Sequence, residues 1–395
     1  MNLLPEVRAI VPEMQQWRRH LHAHPELAFE ETATSSFVQE RLEGLGLEVH
    51  AGIARTGVVG ILRGSEANSP AANAIGLRAD LDALAIHERS GVPHASRHQG
   101  RMHACGHDGH TAMLLGAAAT LARDRALAGT VYFIFQPAEE NEGGGRAMVE
   151  EGLFARFPMR AVYGLHNWPR LPFGTFAMRA GPLMGAYDVF EIVGTGKGAH
   201  AAMAYEGTDP MPFAAHVINA LQTIVARNLH PLDAGVVSVT QVHAGDTWNV
   251  IPEEVVLRGT VRTFKPEVQE LIEARMRAIV AGVAAAFDMH ARVRYERRYP
   301  ATVNAAEPTQ HAIAAAVAVV GDGQVITDPM PNMGSEDFAF MLQQKPGCYV
   351  WMGTGRGDDT PGLHNPRYDF NDEALAIGAS YWVTLARQQV AAGAR

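Results

Sequence analysis

Apolar residues recur at helical spacing over residues 5–22 (Val7, Ile10, Val11, Met14, Trp17, Leu21), and again over 31–44, where Gly44 ends the run. Short apolar runs bounded by turn residues follow at 58–62, 74–79, 130–135 and 161–165, with a helical stretch at 110–123 between the middle two. Strands alternating with helices predict an α/β fold on a mixed, largely parallel sheet with helices on both faces. The pattern changes in mid-chain. Residues 187–193 alternate as a strand, 209–229 read as a helix with Pro near its start, and 236–243 and 254–264 alternate again. A second helix at 266–287 and a strand at 291–297 complete this stretch. Strand–helix–strand–strand–helix–strand is the ferredoxin-like order, so a small α+β domain is expected inside a larger one. The α/β character then returns with helix 308–320, strand 348–352 and helix 372–392. The expected division is 1–184 plus 297–395 for the larger domain, and 185–296 for the inserted one.

A chain of 395 residues suits two domains, and 47% hydrophobic with 19% charged residues fits a globular protein rather than a disordered one. The net charge of −9 argues against a nucleic-acid partner or an anionic membrane surface. No apolar run approaches the ~20 residues of a membrane span. Two cysteines, Cys105 and Cys348, exclude a disulfide scaffold. The opening segment lacks a basic stretch followed by an apolar one, so a cytoplasmic, reduced location is expected. Histidine changes the picture most: there are 18, several clustered.

The densest cluster is HACGHDGH, residues 103–110. Cys105 and His107 are two apart, so an extended backbone points both to one side, and a thiolate with an imidazole suits a borderline transition metal. Asp108 and His110 could support such ligands; the alternative is a His-rich polar turn with Cys105 as a small buried residue. In QPAEENEGGG, residues 136–145, a strand runs out into Glu139 and Glu140. One carboxylate could bind metal while its neighbour faces substrate, the division that metal-assisted hydrolysis requires; a solvated acidic loop is the alternative. His166 in GLHNW and His364 in GLHNP each read alone as structural. Together the picture changes: three of the four segments follow or sit at the carboxyl end of an expected strand, where open α/β sheets bind ligands, and one thiolate, three imidazoles and two carboxylates converging there point to a binuclear metal site. Asp80 and Asp82 end the strand 74–79, where a buried acid could orient a ligating imidazole; a surface ion pair with Arg78 is the other reading. The inserted stretch adds His200 after a Gly-rich turn, Asn249, and Arg262, whose fork could hold a carboxylate. Gly194, Gly196 and Ala199 fit only the loosest dinucleotide fingerprint, with no clean amphipathic helix after them.

RADLDAL, MHACGHDGHTA, FQPAEENEGGG, GLHNWP, GKGAHAA, NVIPEE, GTVRTF, MGSEDFAFM and GLHNPRYDFND occur in that order. With them the chain resembles the metal-dependent amidohydrolases of the M20 metallopeptidase family, in the branch with hippurate hydrolases, N-acyl-amino-acid aminoacylases and auxin-conjugate hydrolases. The resemblance implies two divalent metals (zinc, manganese, cobalt or nickel) bridged by Cys105. Glu140 and His364 would complete one ligand set, and His107 and His166 the other. It implies Glu139 as general base, Asp80 as the acid behind the ligands, and Arg78 where the wider family often has a ligating His. It further implies His200 as a catalytic group reaching a partner subunit's site, Asn249 and Arg262 as substrate holders, and a homodimer made by the inserted domain. The implied reaction is hydrolysis of N-acyl or N-aroyl amino acids. A dipeptidase or N-acyl-diaminopimelate deacylase on the same scaffold, and more remotely a non-catalytic amino-acid or metal-binding protein, are the alternatives. Ala85 and Ala204-Tyr205 depart from the branch's usual residues, the latter near the expected substrate cleft.

Overall fold

In the computed structural model, which describes residues 1–65 and 73–390, the chain divides into two compact units. The first comprises Met1–Leu183, Thr302–Met330 and Asp337–Arg395; the second comprises Met184–Ala301 and Pro331–Glu336. In chain order the principal elements are α1 (Val11–Ala23), α2 (Thr32–Gly44), β1 (Glu48–Ile53), β2 (Gly57–Arg63), β3 (Ala74–Asp80), α3 (His107–Arg123), β4 (Thr130–Gln136), β5 (Ala161–Pro172) and β6 (Phe176–Ala177). Then come β7 (Ala186–Thr195), α4 (Pro210–Thr223), β8 (Gly235–His243), β9 (Glu254–Thr263), α5 (Pro266–Ala286), β10 (His290–Tyr299), α6 (Ala306–Val320), β11 (Val325–Ile326), β12 (Gly347–Gly355) and α7 (Leu375–Gln389). Residues 391–392 of the expected last helix lie outside the described residues.

The first unit holds an eight-stranded sheet in the order β1-β2-β4-β3-β5-β12-β6-β11. Its centre, β4-β3-β5-β12, is parallel, and β1 and β2 join antiparallel. The central strands are buried almost throughout, as strands covered on both faces must be. Alternation along them divides the work. Leu77, Phe133, Phe135, Tyr163 and Val350 join a core built with α1, α3, α6 and α7. The intervening positions Arg78, Asp80, Gln136 and His166 point to the other face, and all four are buried. The polar site residues therefore leave the main core undisturbed.

The second unit is a four-stranded antiparallel sheet, β8-β9-β7-β10. Its own core packs Phe190, Ile192, Val255 and Leu257 against Phe213 and Val217 of α4 and Ile272 and Met276 of α5. Its element order and strand pairing are ferredoxin-like. Gly194, Gly196 and Ala199 lead into a two-residue ribbon and a short 3-10 turn, Ala201–Glu206, not into an α-helix whose N-terminus could receive a pyrophosphate. Among the described residues, no helix is long and apolar enough to cross a membrane.

Candidate metal centre

α3 starts three residues earlier than its apolar pattern implied, at His107. Gly106 before it takes φ 92°, and a Cβ there would come within 2.3 Å of Asn167 Oδ1, so the turn requires glycine. This corrects the expectation of an extended 105–107 segment: a left-handed turn into a helix brings Cys105 and His107 together. His166 lies inside β5, which runs on to Pro172, rather than just beyond a strand ending at 165. Glu139 and Glu140 follow β4, and His364 lies in the loop after β12.

Five overlapping groups of potential metal donors form among the described residues, and two of them share Cys105. Ligand atoms of Cys105, His107 and His166 lie within 4.8 Å of one another, as do those of Cys105, Glu140 and His364. Cys105 belongs to both. Its Sγ is 3.4 Å from His166 Nε2, and His364 Nε2 is 3.1 Å from Glu140 Oε1. Glu139 also comes within that 4.8 Å span of His107 and Glu140.

Surrounding groups aim these donors. His107 Nδ1 donates to the backbone carbonyl of Asp82 at 2.9 Å and lies 3.2 Å from its carboxylate. That leaves His107 Nε2 buried without a hydrogen bond, facing the other donors. His166 Nδ1 donates to the Asn167 carbonyl at 2.7 Å, which turns Nε2 toward Cys105. Such contacts fix the tautomer and ring plane of a metal-ligating imidazole. Asp80 is wholly buried, which corrects the surface ion-pair reading: it accepts from Arg78 Nη1 at 2.8 Å and meets His110 Nδ1 at 2.5 Å. Burial opposes its charge, but His107, His110 and Arg78 hold it well below the usual carboxylate range. Arg78 is no ligand; it also donates to Gln136 and Asp337. Asp108 pairs instead with His22, at 2.8 Å, and Arg18, at 3.5 Å.

The donor set fits divalent cations. Burial, together with Glu140, Glu139 and Asp80, pushes the Cys105 thiol well above its usual range, a bias that a coordinated cation reverses. Burial and the neighbouring His110 keep His166 neutral and able to coordinate. Burial also disfavours charge on His107, yet Asp80, Asp82 and Glu140 raise it to about 10, so the local field calls for positive charge. Thiolate, imidazole and carboxylate in two sets sharing one sulfur provide for two divalent ions.

The remaining candidates lie in the second unit. A two-strand ribbon pairs His200 with Val250, and Ala201 N donates to Asn249 O at 2.9 Å, so His200 and Asn249 are neighbours. Both are exposed, as is Tyr205 in the following turn. Arg262 is half-buried on β9, 4.2 Å over the Tyr187 ring, and donates to Thr260 Oγ1 and the Val261 carbonyl. Its guanidinium makes no direct ion pair among the described residues, although the Asp188 carboxylate acts on it at longer range. The contributions of Glu31, Asn167 and Asp337 were not read from the sequence. Asp337 accepts from Gln136 and from Gly145 N, both at 2.7 Å, and Asn167 N donates to His110. For Asp337 the available signal was the GSEDF motif; for the others only the fold brings the partners together.

A parallel-centred α/β sheet with a shared thiolate, three imidazoles and paired carboxylates at one edge is the frame of a metallohydrolase. Residues 76–388 match Peptidase family M20/M25/M40. The N-acetyl-L-cysteine deacetylase of Bacillus subtilis is 42% identical over 367 residues, covering 93% of this chain and 85% of that protein. The hippurate hydrolase of Campylobacter jejuni is 37% identical over 389 residues, covering 98% of this chain and 99% of that protein. A solved Bacillus subtilis structure, the YXEP protein, described as a dinuclear metal binding peptidase from the M20 family, has a TM-score of 0.84 and 37% identity. It covers 97% of this chain and 99% of that chain. The chain belongs to peptidase family M20/M25/M40 and is a metal-dependent amidohydrolase.

Proposed function

We propose that the enzyme hydrolyses the amide bond of N-acyl or N-aroyl amino acids, releasing a carboxylic acid and a free amino acid. The observation that carries this reading is the division of the Glu139–Glu140 pair: Glu140 joins the Cys105–His364 set, while the buried Glu139 stands beside both donor groups. The N-acyl amino acids named for the deacetylase and hippurate hydrolase relatives point to the same substrate class. When bound, the two divalent ions supply Lewis acidity and lower the pKa of water. Glu139 takes the proton of the attacking water and returns it to the departing nitrogen. His200 donates to the developing oxyanion. Arg262, without a direct ion pair among the described residues, grips the substrate's α-carboxylate with help from Asn249. None of the five ligands lies in the second unit, and His200 is exposed there. Following the family resemblance, we assign His200 to the site of a second copy, with a homodimer as the active form. A panel of acetyl-, benzoyl- and indoleacetyl-amino acids, with dipeptides and N-acyl-diaminopimelate alongside, tests the substrate reading on metal-loaded enzyme. Turnover of the N-acyl and N-aroyl amino acids is expected to dominate; a preference for dipeptides or N-acyl-diaminopimelate would overturn it.

A further inference from the structure

Glu31 is the last residue before α2, the position from which a short Ser, Thr, Asp or Asn side chain ordinarily caps the helix. Glu31 does not cap it. Glu26 takes that duty, accepting from Ala33 N at 3.0 Å and Thr34 N at 2.8 Å. The Glu31 side chain instead turns inward and is wholly buried. Its two oxygens are used separately: Oε2 accepts from Thr56 Oγ1 at 2.6 Å, and Oε1 accepts from Ala138 N at 2.8 Å.

Ala138 immediately precedes Glu139. It has φ 52°, in the left-handed region that residues with a Cβ seldom occupy, so something must hold it there. Two residues on, Glu140 N donates to Asp82 Oδ2 at 2.9 Å. The backbone N–H groups on either side of Glu139 are thus each held by a buried carboxylate, Glu31 on one side and Asp82 on the other. Asp82 has a second task, since it also meets His107. Among the described residues the Glu31 carboxyl makes no hydrogen bond with any of the five candidate metal-ligating residues; it is held by the Thr56 hydroxyl, the Ala138 amide and its own backbone amide.

We propose that Glu31 is a positioning residue for catalysis: its carboxyl group clamps the Ala138 amide and so fixes the direction in which Glu139 leaves the backbone. The proposal rests on the reading of Glu139 as the general base. Hydrogen-bond geometry, rather than charge, does the work. Burial, with the nearby Asp82, pushes the Glu31 carboxyl up to about 7, so near neutrality a large share of it carries no charge at all. Glutamine at this position would retain both bonds: its carbonyl oxygen accepts from Ala138 N, and its amide donates to the Thr56 hydroxyl, which accepts as readily as it donates. Aspartate keeps the acid but is one methylene shorter and cannot span both partners.

The test compares Glu31→Gln with Glu31→Asp in metal-loaded enzyme, with Glu139→Gln as the control, reading kcat, KM, metal content and Tm for each. Glu31→Asp is expected to lose about 10–100-fold in kcat, the scale on which supporting residues act, with KM and metal content held. Glu31→Gln is expected to lose much less. Both substitutions are mild enough to fold, so the order of the two carries the result. If Glu31→Asp is the better enzyme, charge matters and the clamp is wrong. If both keep wild-type kcat and differ only in Tm, Glu31 is a stability residue and the proposal falls. If Glu139→Gln itself keeps full kcat, the general-base reading fails, and this proposal with it; if Glu139→Gln is inactive while both Glu31 variants match wild type, only this proposal fails.

Discussion

The two units hold their candidate residues in opposite ways. In the first, Cys105, His107, His166 and Glu139 are buried and the His107 and His166 rings are aimed by carbonyls and a carboxylate, while Glu140 is partly buried and His364 exposed. In the second, His200 and Asn249 stand in solvent at the end of a two-residue ribbon, and Arg262 rests on a tyrosine ring with no direct ion pair among the described residues. Donors that must hold a cation at fixed geometry gain from a rigid, dry surrounding. Groups that must meet a substrate are better left with unspent hydrogen-bonding capacity. The difference separates donors aimed by the fold from polar groups left without an ionic partner.

The contrast can be broken most forcefully from the metal side. Chelation should remove nearly all activity, a loss of about 10³-fold or more, and elemental analysis after reconstitution should approach two metals per chain. Full activity at one metal per chain would dissolve the idea of a sulfur shared between two ligand sets. Cys105→Ala should lower the stoichiometry, whereas His200→Ala should leave it untouched.

His200→Ala should lower kcat by about 10²–10³-fold, as removal of an oxyanion donor does. Mixing inactive His200→Ala chains with inactive Glu139→Gln chains sharpens the comparison. If His200 serves a second copy, activity should return to about a quarter of the wild-type rate, since about half of randomly re-paired dimers are mixed and each holds one intact site. No recovery after demonstrated subunit exchange would place His200 in its own chain's site or outside the chemistry.

The smallest effect concerns the support beneath the first site. Burial disfavours charge on His22, but Asp108 and Glu88 overcome it and raise the imidazole to about 9. A folded value above the unfolded one of about 6.5 means that the charged His22 contributes stability in full below about pH 6.5 and loses it as pH rises through about 9. The Tm advantage of wild type over His22→Gln should therefore shrink across that interval. A gap that does not change with pH would show that His22 is uncharged in the fold.

What could be read in advance depended on how far apart in the chain the partners are. HACGHDGH and PAEE announce themselves because several donors are packed into a few residues at the ends of apolar runs. Gly106 misleads at the local level: two-apart spacing suggests an extended segment, but a left-handed glycine achieves the same convergence by a turn. The length of β5 was hidden because its pattern of apolar positions breaks at His166 and Asn167, both buried polar residues. Glu31 clamps a backbone amide 107 positions away, and Arg18 meets Asp369 and Asp372 more than 350 positions away, pairings that only the folded chain creates. The expected boundaries at 184/185 and 296/297 compare with Leu183/Met184 and Ala301/Thr302 in the structure, where β10 runs on to Tyr299.

The division of labour within Glu139–Glu140 is tested most directly by measuring turnover and metal content together in Glu139→Gln. The substitution keeps the shape of the side chain and removes its ability to accept a proton. The expected result is a fall in kcat of about 10²–10⁴-fold with metal content near wild type. Loss of metal from Glu139→Gln, with Glu140→Gln retaining it, would contradict the assignment and exchange the two carboxylates.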